Sequence, residues 1–546
     1  MSPARFAVLL AAASAVLAVV PVAHAEAPRI ERAGPTPAGS DRPAGPSPAV
    51  TFSPDGDGHR DAVWVIAAVR RGASARLWIT SVPRVGPGRF TRPVVARTGR
   101  VRLRWDGSGF GSGDRSYRVH VCADGRCSEE FAVAHARRLT VDVDPFRSLP
   151  AGGLIDARIA SDSPLAIRAS LVRPYALDAA GIDLGARAIG RSGIRLPGVV
   201  GAGSWLLRVE QGSATAYAPL AVRGGRPSAP PARAALVVIP ALTWRAYDAA
   251  DCDRNGAPDS WYGHPLQPSV PRRCAYAIGS QAPGLPPAFP RFAPFQRWFD
   301  AAGRRAVFVT DLELAGLSDA ALRRYATIVF PGHTEYYPPR LYDALLRYRS
   351  QGGRLLFLSA NAFYGTVALR DDRIERLTYR LRTARRSDFA LAGAGFSVCC
   401  WPSEWRRAYR VTQAGLDRVP WLFDGTGVVA GSRFGIAVQE VDRLDERLSP
   451  RTSIAVATAT IPPSSTVLPV SPKDAQAWVG TRPFPYRPAR LDRQRADVVY
   501  ATVGAGEVLT WGNVGFLASL YDASLPAAER AALRRALDNA WERFTR

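Results

Sequence analysis

The apolar positions of this chain follow two different rhythms. From residue 50 to 136, short runs alternate apolar and polar side chains and are separated by turn residues. A period of two puts one face of a strand in a core and the other in water. It predicts strands at 62–69, 75–80 and 117–122. Residues 137–224 repeat the style, with predicted strands at 139–143, 165–172, 204–209 and 216–222. Short strands at this spacing predict one β-sandwich over 50–136 and a second over 137–224.

The stretch Gly224-Gly225-Arg226-Pro227-Ser228-Ala229-Pro230-Pro231 breaks both patterns. Gly and Pro punctuate a chain, so residues 225–234 read as a linker at the main domain boundary. Beyond it strand and helix alternate. Strands are predicted at 235–239, 306–310, 327–330 and 354–359, and helices at 294–302, 319–325, 340–350 and 526–544. Leu341, Leu345 and Tyr348 recur at i, i+4 and i+7, one face of a helix. Such alternation predicts a mostly parallel sheet between helices, a three-layer α/β domain over 235–546. The expected fold is therefore multidomain: two sandwiches, then α/β.

The amino-terminal segment has its own pattern. Arg5 precedes an apolar stretch over 6–20, and Ala23-His24-Ala25 stands before Glu26. This is the form of a secretory signal over 1–25, cleaved after Ala25. No later run of ~18 apolar residues occurs, so no transmembrane segment is expected, and the mature chain is expected to be secreted and soluble. Residues 26–49 are rich in Pro, Gly, Ala and Ser without periodicity, which reads as a disordered linker.

Composition changes the picture in two places. The chain of 546 residues carries 71 basic and 47 acidic side chains, a formal charge of +24. Lys473 is the only lysine, the arginines are scattered, and no motif of a nucleic-acid reader is present. Nucleic acid is therefore not an expected partner. A basic surface instead suits adhesion to an anionic cell-envelope ligand. The six cysteines are expected to form disulfides in an exported protein. Cys122 and Cys127 flank the turn Ala123-Asp124-Gly125-Arg126, and Cys252 and Cys274 bracket one loop. Cys399 and Cys400 are adjacent, either a vicinal bridge or two thiols. None has zinc-ligand spacing.

Candidate chemistry falls in three segments. Phe52-Ser53-Pro54-Asp55-Gly56-Asp57-Gly58-His59-Arg60-Asp61 places carboxylates at alternate positions in a Gly-rich loop, which suits a structural calcium ion or a metal-free Asx turn. Asp251-Cys252-Asp253-Arg254-Asn255-Gly256-Ala257-Pro258-Asp259 follows a calcium-loop pattern for nine positions, but Tyr262 stands where a bidentate Glu belongs. The third segment, Pro331-Gly332-His333-Thr334-Glu335-Tyr336-Tyr337, follows the predicted strand 327–330 directly. Open α/β sheets bind ligands beyond the carboxyl ends of their strands, so His333 and Glu335 are placed for chemistry. His264 and His333 are the only histidines of 235–546, which excludes a His-rich zinc site there. No G-x-S-x-G elbow occurs.

Two resemblances extend this reading. The 52–61 loop, Trp105-Asp106-Gly107 and Tyr117-Arg118-Val119 resemble bacterial Ig-like domains of the flagellar-hook-capping type, over about 50–136. Five further segments, in order, are Thr243-Trp244-Arg245-Ala246-Tyr247-Asp248, Asp259-Ser260-Trp261-Tyr262-Gly263, Gly332-His333-Thr334-Glu335-Tyr336, Ser359-Ala360-Asn361-Ala362-Phe363-Tyr364, and Gln439-Glu440-Val441-Asp442-Arg443. This set resembles the large (β) subunit of N,N-dimethylformamidase and its broad relatives over 235–546. That resemblance implies a core similar to the class I glutamine amidotransferase fold. It also implies a mononuclear iron held by two tyrosines and one glutamate, here Tyr247, Tyr262 and Glu335, with Tyr276 a rival for Tyr262. Phenolate and carboxylate are hard anionic ligands suited to a Lewis-acidic ion. His333 is then placed to shuttle a proton, Asn361 to donate to an oxyanion, and Glu440 to act as second carboxylate, either base or support.

The expected function is hydrolysis of a non-peptide C–N bond, with a small amide as substrate. The alternative is a non-catalytic secreted surface-binding protein that keeps the amidotransferase-like fold. A third reading is a metal-free hydrolase using Glu335 and Glu440 as acid and base.

Overall fold

The computed structural model describes residues 28–34, 42–43, 50–52, 62–82, 88–107, 116–135, 139–161, 165–212, 214–231, 233–248, 250, 252, 259–261, 269–276, 285–286, 288–378, 387–398, 406–438, 440–461 and 495–546. The protein is multidomain and rich in β-sheet.

The first unit pairs a four-stranded sheet with a seven-stranded one. Val63, Val65 and Leu103 from one meet Leu77, Ile79 and Val119 from the other in a shared core. Strand Arg100–Trp105 alternates exposed arginines with buried Val101, Leu103 and Trp105, as a half-buried strand requires. The second unit joins a three-stranded and a five-stranded sheet around Val141, Ile155, Ile167, Leu207 and Val209. The strand Arg29–Gly34 corrects the expectation for 26–49. It pairs antiparallel with Val63–Ala68. Backbone pairing holds it, and composition carries no record of backbone pairing.

The carboxyl-terminal unit centres on a nine-stranded sheet. Its order is Val307–Thr310, Ala234–Ile239, Tyr325–Phe330, Arg354–Phe357, Gly506–Thr510, Arg495–Val503, Ile454–Thr460, Arg407–Val411 and Arg433–Ala437. The first five strands are mutually parallel. The remaining pairings are antiparallel. The sheet is thus mixed, not mostly parallel as expected. The change comes at Val503-Gly504-Ala505-Gly506, where Gly504 (φ +58°) lets the chain turn straight back into the next strand.

The parallel strands are buried on both faces, which explains their continuous apolar runs. Leu236, Val238, Ile328, Phe330, Leu355 and Phe357 pack with Leu314, Leu322, Leu341 and Leu345. Their neighbours Val237, Ile239, Val329 and Leu356 pack with Phe295, Trp298, Leu533, Leu537 and Phe544. Helix Pro339–Ser350 lies on the first side, and helices Ala293–Ala301 and Ala527–Thr545 on the second.

The second sandwich is keyed into this unit. Glu313 caps the short helix Asp311–Leu314, and its Oε1 accepts from the N–H of Ser148 at 2.9 Å. Arg273 reaches Asp142 at 3.5 Å and Asp156 at 3.3 Å. Two disulfides are present among the described residues. Cys122–Cys127 closes the hairpin turn at Asp124-Gly125, and Cys252–Cys274 closes the longer loop. Cys399, Cys400 and both candidate calcium loops, apart from single residues, lie outside the described residues. No helix among the described residues is long and apolar enough to cross a membrane.

Candidate metal centre

The site is built from chain segments that leave the carboxyl ends of the parallel strands. After Ala234–Ile239 the chain turns at Pro240 into helix Ala241–Ala246, with Tyr247 at its carboxyl-terminal cap. After Tyr325–Phe330 it turns at Gly332, whose φ of +82° is open to glycine and costly for other residues. His333, Thr334 and Glu335 follow, all buried. The N–H of Glu335 donates to the Thr243 hydroxyl at 2.9 Å. Its carbonyl accepts from Gly365 at 3.0 Å as the short strand Tyr336–Tyr337 pairs with Gly365 and Thr366. These bonds fix the Glu335 backbone on both sides. After Arg354–Phe357 the chain reaches Asn361, which has φ +54°. Glu440 comes from the other half of the sheet, just after Arg433–Ala437.

The side chains converge on one ring nitrogen. His333 Nε2 lies 3.2 Å from Glu440 Oε2 and 3.4 Å from Glu335 Oε2. The Tyr247 hydroxyl is 3.3 Å away. The donor atoms of His333, Glu335 and Glu440 all fall within 4.8 Å of one another. The Asn361 amide nitrogen donates to Glu335 Oε1 and lies 3.4 Å from Glu440 Oε2. At the rim, Arg291 approaches Glu440 Oε1 at 3.9 Å.

The other ring nitrogen sets the chemistry. His333 Nδ1 is 3.2 Å from the carbonyl oxygen of Ala360. A carbonyl only accepts, so Nδ1 carries a proton, and whenever the ring is neutral its Nε2 lone pair is turned toward the carboxylates. Burial pushes the His333 pKa down, but Glu440 and Glu335 more than offset this, and the net shift is upward. Glu335 Oε2 is buried without a hydrogen bond among the described residues. A lone pair, two carboxylates and a phenol gathered away from water require a cation between them, a proton or a metal ion. The donor set therefore fits a metal: a buried group of His333, Glu335 and Glu440 could hold one. The backbone carbonyl behind the imidazole is the usual partner of a metal-binding histidine.

The family model described as N,N-dimethylformamidase beta subunit-like, C-terminal, matches residues 192–528. The chain belongs to this family. The matched span contains Tyr247, Tyr262, His333, Glu335, Asn361 and Glu440. A search of curated proteins finds no significant match. Among solved structures, a ThuA-like protein from Bacteroides uniformis is 14% identical, with 59% of this chain and 95% of that chain covered and a TM-score of 0.29. A β-glucuronidase of Faecalibacterium prausnitzii is 10% identical over 59% of this chain and 55% of its own, with a TM-score of 0.17. Likenesses at this level assign neither fold nor activity.

Of the six residues expected at the site, the structure brings together Tyr247, His333, Glu335, Asn361 and Glu440. Tyr262 lies outside the described residues. Its rival Tyr276 stacks under the Arg245 guanidinium at 4.1 Å, and Arg245 is paired with Asp248 at 3.0 Å. Burial raises the Tyr276 phenol far above its usual value. The hydrogens of the Asn361 amide face the two carboxylates, where the sequence reading assigned one to an oxyanion. Sequence reasoning assigned no role to Asp442. It is buried, and Oδ1 accepts from the Asn361 N–H at 2.8 Å. Burial pushes its pKa up to about 8, against that hydrogen bond.

Proposed function

We propose that the protein is an exported, iron-dependent hydrolase of small amides, cleaving a non-peptide C–N bond. The observation that supports this most is the buried Glu335 carboxylate, one oxygen of which has no hydrogen bond among the described residues and lies 3.4 Å from His333 Nε2. In this reading Glu335 and Tyr247 hold the ion, with Tyr262 as the third ligand. Such an ion would supply Lewis acidity toward an amide carbonyl and the attacking water.

The remaining residues move protons and hold geometry. Glu440 is the most open of the buried acid–base groups, with 11% of its side chain exposed against 3% for Glu335 and none for His333. It therefore meets the substrate side and accepts the proton of the attacking water. His333 Nε2, 3.2 Å away, takes that proton on and returns it to the departing amine nitrogen. Asn361 keeps the two carboxylates apart and oriented. We further read the amino-terminal sandwiches as Ig-like modules that hold the enzyme at an envelope surface. The α/β unit is read as glutamine amidotransferase-like.

A second reading makes His333, Glu335 and Glu440 the ligands themselves, favoured by their mutual distances within 4.8 Å. One experiment separates the two. The protein is loaded with iron and its metal content and amide turnover are measured for His333→Asn and Glu440→Gln. The first reading expects full metal content with turnover reduced by ~10²–10⁴-fold. Loss of metal in both variants supports the second. Unchanged turnover in both overturns the hydrolase reading.

A further inference from the structure

We propose that Asp442 is a positioning residue for the centre: it holds Asn361 in the conformation from which one amide group fixes both Glu335 and Glu440. This rests on the metal centre proposed above.

Asn361 has φ +54°, a left-handed conformation that most residues avoid and asparagine tolerates better. Its N–H is buried and needs an acceptor. Asp442 Oδ1 supplies it at 2.8 Å. Asp442 is itself held on two sides. Its N–H donates to the Gly512 carbonyl at 3.0 Å, and strand Val441–Arg443 pairs with Gly395–Val398. The approach to Gly512 depends on glycine there, because a Cβ would fall 2.2 Å from the Asp497 carbonyl oxygen and 3.5 Å from Asp442 Cβ. Asp442 follows Glu440 by two residues, so one short segment supplies both a carboxylate of the cluster and the anchor for Asn361.

The consequence reaches the acids through Asn361. Its Nδ2 donates to Glu335 Oε1 and lies 3.4 Å from Glu440 Oε2. Two buried carboxylates repel, and a shared donor offsets that repulsion while setting their angle. If Asp442 lets go, Asn361 is free to leave the left-handed region, and the acids lose the group that orients them. The role needs an oxygen acceptor, not a charge. An asparagine at 442 preserves it and an alanine does not.

The test compares Asp442→Asn, Asp442→Ala and Asn361→Ala with the wild-type full chain, using iron titration and backbone hydrogen exchange of the metal-free protein. Asp442→Ala is expected to weaken iron binding ~10–100-fold, as loss of a partner behind a ligand does, while Asp442→Asn stays within a few-fold of wild type. In an Asn361→Ala background, Asp442→Ala should add no further loss. Exchange of the Asn361 amide should quicken in Asp442→Ala, with Tyr325–Phe330 and Arg354–Phe357 still protected. Retained Asn361 protection in Asp442→Ala overturns the proposal, as do additive losses in the double variant. A wild-type chain that binds no iron overturns the proposed centre instead, and the exchange result still decides whether Asp442 holds Asn361.

Discussion

His333 Nδ1 lies 3.2 Å from the Ala360 carbonyl oxygen, and this contact orients the imidazole within the centre. It spends the ring's proton on the backbone and leaves Nε2 to face Glu440, Tyr247 and Glu335. The same contact ties the segment after Tyr325–Phe330 to the segment after Arg354–Phe357. Two adjacent strands therefore share one hydrogen bond at the floor of the site.

Tyr247 sits at the edge of the cluster, ring to ring with His333 at 5.7 Å between centroids. Tyr247→Phe keeps that packing and removes the hydroxyl. The variant should fold normally, bind iron more weakly by at least about tenfold, and lose the Tyr247 share of the visible phenolate–iron absorbance while the Tyr262 share remains. Absorbance spectra of the reconstituted variant and wild type check this.

Gly332→Ala tests the turn before His333. The new methyl meets Phe292 at 3.4–3.5 Å, ordinary contact, so backbone conformation alone decides the outcome. At φ +82° the cost should be ~1–2 kcal/mol, seen as a lower unfolding midpoint in denaturant. Turnover should fall further than stability, because the turn aims His333.

The Cys252–Cys274 bridge spans 22 residues and ends next to the site. The Cys274 carbonyl accepts from Arg245 at 2.9 Å, two residues before Tyr247. Replacing both cysteines by serine should remove ~3 kcal/mol of stability. Differential scanning calorimetry under oxidising conditions measures it, and iron affinity should fall in the same variant.

The sequence makes the parallel half of the sheet legible because strands buried on both faces are written as unbroken apolar runs. Leu236–Ile239 and Thr327–Phe330 are such runs, and the polar packet after Phe330 marks the strand end where His333 and Glu335 meet. The antiparallel half is less legible. Strands Ile454–Thr460 and Arg495–Val503 are interrupted by Thr and Asp, and their partners follow from the fold, not from local pattern. Arg29–Gly34 is hidden for the same reason, since its polar residues gain order only from pairing with Val63–Ala68. Asp442 was invisible as a site residue because its partner Asn361 lies 81 positions away and their bond joins a side chain to a backbone amide. Tyr276, the rival of Tyr262, has the Arg245 guanidinium over its ring at 4.1 Å, and that arginine pairs with Asp248 at 3.0 Å.

The central claim is that the Glu335 carboxylate is a metal ligand. The direct measurement is the iron content of purified wild type and Glu335→Gln after identical reconstitution, by elemental analysis. Near one iron per chain is expected in the wild type and almost none in the variant, with both still folded. Equal iron in the two proteins, or none in the wild type, contradicts it.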